Sequence, residues 1–177
     1  FKTEELFPEN AITSDDVLRT LESYDTLLVT NPITLLPEQR IEKTEFNPND
    51  AVAIRIKEEW VFDKQISTMV VRIIAVAPVI NLKSEGQIVG QTAMFWVYYP
   101  AIRNILANSE VFNWRNDGQK MSFDDVFIRR MFASYIYKES NAKDLRIEDY
   151  AAGRDILVEA DRIKNKIVDF EQALWEY

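Results

Sequence analysis

The order of local patterns along the chain predicts an α+β domain: an antiparallel sheet built on a long hairpin plus a third strand, with C-terminal helices packed against it. Three observations carry this expectation. Residues 51–62 place Val52, Ile54, Ile56, Trp60 and Phe62 at alternating positions, with Arg55, Lys57 and Glu59 between them, the period-two pattern of a half-buried strand. The Val- and Ile-rich run Ser67–Val79 follows directly after the polar Asp63-Lys64, as in a hairpin. Helical patterns then gather after the strands rather than between them, which argues for helices on an antiparallel sheet and against a doubly wound nucleotide fold.

Taken in order, Thr13-Ser14-Asp15-Asp16 offers capping side chains ahead of Val17, Leu18 and Leu21, so a short helix is expected near residues 14–23. Thr26–Val29 reads as one short strand. Thr30–Asp50 contains Pro32, Pro37 and Pro48 and reads as loop or edge strand, because proline cannot donate to an interior ladder. The second hairpin strand is apolar on both faces apart from Arg72, which suggests a central place in the sheet, and Pro78 is expected to end it. Lys83–Gly90 is the longest polar connection. Gln91–Tyr99 is expected as the third strand, with Met94, Trp96 and Tyr98 on one face and Phe95, Val97 and Tyr99 on the other.

Pro100 is placed to open a helix running to about Asn108. Ser122 can cap another, with Asp124 and Asp125 complementing the positive end of its dipole. Phe123, Val126, Phe127, Met131 and Tyr135 would share one face of that helix, widened by Ile128, Phe132 and Ile136. The last helix should start near Arg154, after Gly153. Its Ile156, Ala160, Ile163, Ile167, Phe170 and Leu174 form a heptad seam, which would dock on the domain's own sheet or on a neighbouring subunit. The expected organisation is an N-terminal helix and irregular arm over residues 1–49 and an α+β core domain over 50–177.

Composition removes most catalytic chemistry. The 177 residues include no Cys and no His, which excludes Cys/His pairs, the Ser-His-Asp arrangement, thiolate zinc sites and imidazole-bound metals. The four glycines stand far apart and cannot make a phosphate-cradling loop. A formal net charge of −8 argues against nucleic acid or an anionic lipid surface as main partner. No apolar run approaches the ~20 residues needed to span a bilayer as a helix. The first residue is Phe1, with no basic-then-apolar leader in front of it, and the stretch is expected to be a mature product or a proteolytic core.

Carboxylate chemistry survives as a possibility on residue type alone. Glu58 and Glu59 are neighbours in a strand and face opposite ways, while Asp15-Asp16 and Asp124-Asp125 fall at helix starts, where the dipole already accounts for them. Asn113–Gly118 lacks the alternating ligands and closing Glu of a calcium loop and reads as a turn. Ser140-Asn141-Ala142-Lys143 matches a Ser-x-x-Lys spacing without any companion motif. A carboxylate-dependent hydrolase or small-ligand-binding protein would need Asp124 and Glu139, or Asp63 and Glu58, to meet in a deep cleft.

The aromatic load is uneven: eleven of the twenty-one aromatic residues fall between Phe95 and Tyr137. Most of these suit a core between the third strand and the helix that follows Ser122. Others suit an interface, where aromatics and Arg concentrate. The candidate interface residues are Phe112, Trp114 and Arg115 on or beside a polar loop, Trp175 near the C-terminus, and Ile163 and Ile167 on the heptad seam.

Several longer blocks match a known pattern in the same order: IKEEWVFDKQ at Ile56–Gln65, RIIAVAP at Arg72–Pro78, FWVYYP at Phe95–Pro100, EVFN at Glu110–Asn113, FDD at Phe123–Asp125 and FASYIYKESN at Phe132–Asn141. The tail from Arg162-Ile163-Lys164 to Leu174-Trp175 is similar as well. From about residue 50 onward the chain resembles the GldN/PorN family of periplasmic ring proteins in the type IX secretion and gliding machinery of Bacteroidota. Over residues 1–49 the likeness is loose. The resemblance implies a periplasmic, non-enzymatic structural subunit, associated with the outer membrane through a lipoprotein of the GldK/PorK type. It implies further contacts with the periplasmic region of a GldM/PorM-type inner-membrane component and with other copies of the chain. It implies no catalytic residues and no cofactor.

Overall fold

The computed structural model describes residues 1–30, 37–45, 47, 50–84, 87–112 and 120–175. Its elements are α1 (Ser14–Leu21), β1 (Glu22–Thr30), β2 (Pro37–Glu45), β3 (Ala51–Asp63), β4 (Thr68–Ser84), β5 (Gln87–Ala93), β6 (Val97–Tyr98), α2 (Tyr99–Asn108), β7 (Glu110–Val111), β8 (Met121–Ser122), α3 (Phe123–Ile128) and α4 (Asp155–Trp175). The class is α+β, with antiparallel strands and a long C-terminal helix. The chain divides into two compact units: Phe1–Glu58 with Ile73–Ile102, and Glu59–Arg72 with Arg103–Tyr177. The described residues ahead of β3 thus fall in the same unit as the base of the β3–β4 hairpin.

In the first unit, α1 begins with a reciprocal cap. The Asp16 amide donates to Thr13 Oγ1 at 3.2 Å, and the Thr13 amide donates back to the Asp16 carboxylate at 3.2 Å. This satisfies donors that the first helical turn leaves without intrahelical partners. β1 then pairs with β2 in antiparallel register from Glu22↔Glu45 to Thr30↔Pro37. Pro37 stands at the start of its strand, where a missing N–H is tolerated.

The main sheet has the order β3-β4-β5, with β6 also pairing β4. The expected hairpin is present, and β4 holds the central position anticipated from its apolar faces. Two expectations along this stretch need correction. Pro78 does not end β4, which runs on to Ser84. The third strand is not continuous either: β5 starts at Gln87, stops at Ala93, and β6 resumes at Val97.

Both departures have one cause. β4 changes partner between Val76↔Val97 and Val79↔Ala93, so Ala77 and Pro78 face the longer stretch Met94-Phe95-Trp96. At that irregularity Pro78 supplies only its carbonyl, which accepts from the Met94 amide at 3.0 Å. Proline is tolerated where the ladder breaks in this way. The break also turns Trp96 onto the two smallest side chains of β4: Ala75, Ala77 and Trp96 are buried together, with Phe1, Leu6 and Ala93 packed around them.

A third correction concerns β3. Val52, Ile54 and Trp60, expected on a covered face, are 47%, 56% and 41% exposed. β3 is the edge strand of its sheet, and alternation by itself does not tell which face receives cover.

In the second unit, α3 is capped as anticipated, with the Asp125 amide donating to Ser122 Oγ and the Ser122 amide to the Asp125 carboxylate. The helix does not reach Ile136, however; it stops at Ile128. Arg130 adopts φ +52°. The Arg130 amide donates to the Phe127 carbonyl at 3.2 Å and the Met131 amide to the Val126 carbonyl at 2.9 Å. This is a Schellman closure with arginine at the position usually filled by glycine. The conformation costs about 1–2 kcal/mol for a residue with a Cβ. An offsetting contact is visible: the Arg130 guanidinium lies over the Trp60 ring at 5.7 Å and the Phe132 ring at 5.6 Å, each worth about 0.5–1 kcal/mol.

Beyond this stop the chain runs without helix to Arg146. Asn141 organises the bend: its amide donates to the carbonyls of Glu139 and Leu145, and its oxygen accepts from the Lys143 and Leu145 amides. The Ser140–Lys143 spacing is therefore built into a loop held by its own Asn. Ile136 from this segment joins Ile147, Ala160 and Ile163 in a core that also takes in Ala151, Ile156 and Ile167.

The seam of α4 packs inside its own unit, but Phe170 leaves it, at 55% exposure. Glu171 takes the inward position instead, and its carboxylate accepts from the Met69 amide at 3.1 Å. A helix of 3.6 residues per turn drifts off a 3.5-residue repeat after two heptads, and that drift turns Phe170 outward.

Candidate interaction surface

The surface around Phe112 is assembled from three short elements of the second unit. β7 and β8 pair through Glu110↔Ser122 and Val111↔Met121. Strand alternation turns Met121 inward, where it is buried, and leaves Glu110 and Lys120 on the outside. Those two form an ion pair at 2.6 Å, which lifts the Lys120 ammonium above its usual range chiefly through that hydrogen bond. Phe112 follows β7 and is 76% exposed, the greatest exposure among the large apolar side chains described.

This ribbon is locked to the helices on either side. The Phe123 amide donates to the Ser109 carbonyl at 3.1 Å, and the Ser109 hydroxyl donates to the Ile105 carbonyl at 2.9 Å. Arg103, midway along α2, reaches the nearly buried Asp124 carboxylate at 3.2 Å. Asp125 stays ionised through the cap: hydrogen bonds from the Ser122 amide and hydroxyl hold its carboxyl below the ordinary carboxylate value. Phe123 at 45%, Ile105 at 66% and Phe112 thus ride on one hydrogen-bonded block rather than on loose chain.

Of the six sequence-predicted interface residues, Phe112 stands in solvent. Ile163 is 2% exposed and Ile167 packs against the same cluster, so in this chain both are core side chains of α4's own unit. Trp114 and Arg115 lie outside the described residues, as does the Asn113–Gly118 turn, and so does the side chain of Trp175 at the end of α4. Ile105 and Ile128, 66% and 54% exposed, were not anticipated as surface residues. Nothing local in the sequence marks them, since each sits among apolar neighbours on a helix whose covered side is set by tertiary packing.

The carboxylates have other engagements. Glu139 pairs with Lys166 at 3.7 Å, Asp124 with Arg103, and Asp63 accepts from the Gln65 amide in the hairpin turn. Glu159 binds Arg162 at 2.6 Å and also accepts from the Tyr150 hydroxyl; the Arg162 hydrogen bond is the main cause of its lowered pKa. Among the described residues no group of Asp and Glu is arranged to hold a metal ion, and no helix is long and apolar enough to cross a membrane.

Among the described residues apolar exposure extends beyond this block: Ile66, Ile88, Val89 and Val158 are 60%, 62%, 66% and 60% exposed.

No curated protein matches the chain. A family model does, described as gliding motility associated protein GldN, and it spans residues 3–176. With its α+β fold and almost its whole length matched, the chain belongs to the GldN family of gliding-motility-associated proteins.

Proposed function

We propose that this chain is a structural subunit of a periplasmic ring in the type IX secretion and gliding machinery, acting by surface complementarity rather than by bond-making chemistry. In this reading it binds an outer-membrane lipoprotein of the GldK/PorK type, meets the periplasmic region of a GldM/PorM-type motor component, and joins further copies of itself. Family membership supports the setting. The observation that carries the role is the exposed apolar surface, led by Phe112 on its capped and ion-paired block. Rigid aromatic side chains lose little entropy on binding and recur as interface anchors.

The test is capture of the lipoprotein. Tagged chain, incubated with solubilised outer membranes, is expected to retain it through washing at physiological salt. A folded chain that fails to retain it would count against the ring role. Turnover of a small molecule at a cluster of acids would overturn the structural reading itself.

A further inference from the structure

Ahead of α1, residues 1–10 form a small closed loop on the first unit. The Lys2 amide donates to the Asn10 carbonyl at 3.1 Å, and the Asn10 amide donates to the Phe7 carbonyl at 2.8 Å across a single helical turn, Pro8–Asn10. Inside the loop, the Thr3 hydroxyl and the Asn10 side-chain amide both donate to the Glu5 carbonyl, at 3.1 and 3.2 Å. Compact surface loops whose ends meet in this way are packed by their own side chains. Residues 1–10 can therefore move as one body about Ala11-Ile12, the stretch that leads to the Thr13 cap.

The loop covers the break in the third strand. Trp96 lies between β5 and β6 and exchanges both backbone bonds with Phe1. The Phe1 nitrogen donates to the Trp96 carbonyl and the Trp96 amide to the Phe1 carbonyl, each at 2.8 Å, as in one rung of an antiparallel ladder. Phe1 and Leu6 close over Ala75, Ala77 and Trp96, and Lys57 Nζ donates to the Glu4 carbonyl at 2.7 Å. All these contacts fall within the first unit. On its other side the loop is wet: Lys2, Thr3, Glu5 and Phe7 are exposed, and Phe1 and Leu6 are half-buried. A segment with few deeply buried side chains and solvent-facing hydrogen bonds opens at lower free energy than the sheet beneath it. That sheet surface has the opposite character. Ala75 and Ala77 are 0% exposed and Trp96 3%, and the two alanines leave room for a large side chain from above.

We propose that Phe1–Leu6 is a lid: the resident occupant of a strand-accepting slot at Met94–Trp96, which lifts with its loop and bares the slot while the sheet stays folded. The slot suits an extended segment held in the strand-addition mode. It offers a backbone amide and carbonyl at Trp96, a seat for a large apolar side chain over the two alanines, and the Lys57 ammonium for a carbonyl further along. The chain's own Phe1, Leu6 and Glu4 carbonyl meet these three requirements. The inference concerns the first unit and stands apart from the ring reading and from the Phe112 surface of the second.

Native-state hydrogen exchange, read amide by amide on the whole chain, tests it, with far-UV circular dichroism to verify folding. In the unaltered chain the Trp96 amide is expected to exchange at least about tenfold faster than the β4 amides opposite β5, because the lid opens while the sheet stays closed. Leu6→Asp should speed the Trp96 amide by about a further tenfold and Lys57→Met by about threefold, with the β4 amides unchanged in both. An acetylated peptide of residues 1–10, at the millimolar concentration that a short tether supplies, should slow the Trp96 amide of Leu6→Asp by about threefold or more. Trp96 and β4 amides that exchange together, in parent or variants, would make the segment an integral part of the core and overturn the lid. A Trp96 amide indifferent to Leu6→Asp would overturn it as well, and a peptide without effect would overturn the slot.

Discussion

Replacing Arg130 separates backbone strain from side-chain attraction at the point where α3 stops. The native residue sits at φ +52° with its guanidinium over Trp60 and Phe132. Arg130→Ala keeps the Cβ, and therefore the left-handed strain, but removes both ring contacts. At about 0.5–1 kcal/mol per contact the expected loss is roughly 1–2 kcal/mol. Arg130→Gly loses the same contacts but releases about 1–2 kcal/mol of strain, less the ~0.5–1 kcal/mol entropic cost of a glycine. Glycine should therefore be the more stable of the two, by about 0.8 kcal/mol at the middle of a range of roughly 0–1.5 kcal/mol. Thermal unfolding reads this as a fall of roughly 2–8 °C for alanine, taking about 2–4 °C per kcal/mol for a chain of this size, with glycine lying between alanine and the parent. A double-mutant cycle with Trp60→Ala should return a coupling of about 0.5–1 kcal/mol. An alanine variant as stable as the glycine one would refute the strained stop, and zero coupling to Trp60 would refute the ring contact.

Other consequences can be checked alongside. Ile163→Ala, at a side chain 2% exposed, should destabilise by about 2–5 kcal/mol in urea unfolding with little change in slope; a loss under ~0.5 kcal/mol would mean that α4 packs elsewhere. Phe112→Ala, at 76% exposure, should change stability by no more than ~0.5 kcal/mol while weakening lipoprotein capture, and undiminished capture would remove Phe112 from the interface. The cap carboxylates Asp16 and Asp125 both titrate below their ordinary value because Thr13 and Ser122 hydrogen-bond the ionised form. Their contribution is present above the unfolded carboxylate pKa of about 3.9 and is lost as acid carries pH down through the lower folded value. Stability should therefore fall below about pH 4, and Asp125→Asn should lessen that fall; a parent chain and an Asn variant with identical acid profiles would exclude the cap.

Short-range chemistry was legible in the sequence. The Thr13 and Ser122 caps, the β3–β4 hairpin, the helix around Pro100 and the core seam of α4 all follow from a few neighbouring residues whose preferences do not depend on the rest of the chain. The misread elements share the opposite property. Phe123–Ile136 has a helical stripe, but the stripe is cut where Arg130 meets Trp60, some seventy positions earlier in the chain, and no glycine or proline announces the cut. Pro78 looked like a strand terminus because local rules cannot see that β4 changes partner there.

The candidate surface divides along the same line. Phe112 could be proposed from residue type and a polar surrounding, whereas Ile105 and Ile128 became surface residues only when packing chose which side of each helix to cover. The chemistry denied to the chain, with neither Cys nor His among its side chains, was fixed by composition alone. Which apolar residues form its core and which remain on view was decided by tertiary structure, because hydrophobic burial rewards any covered face equally and the choice of cover belongs to distant parts of the chain.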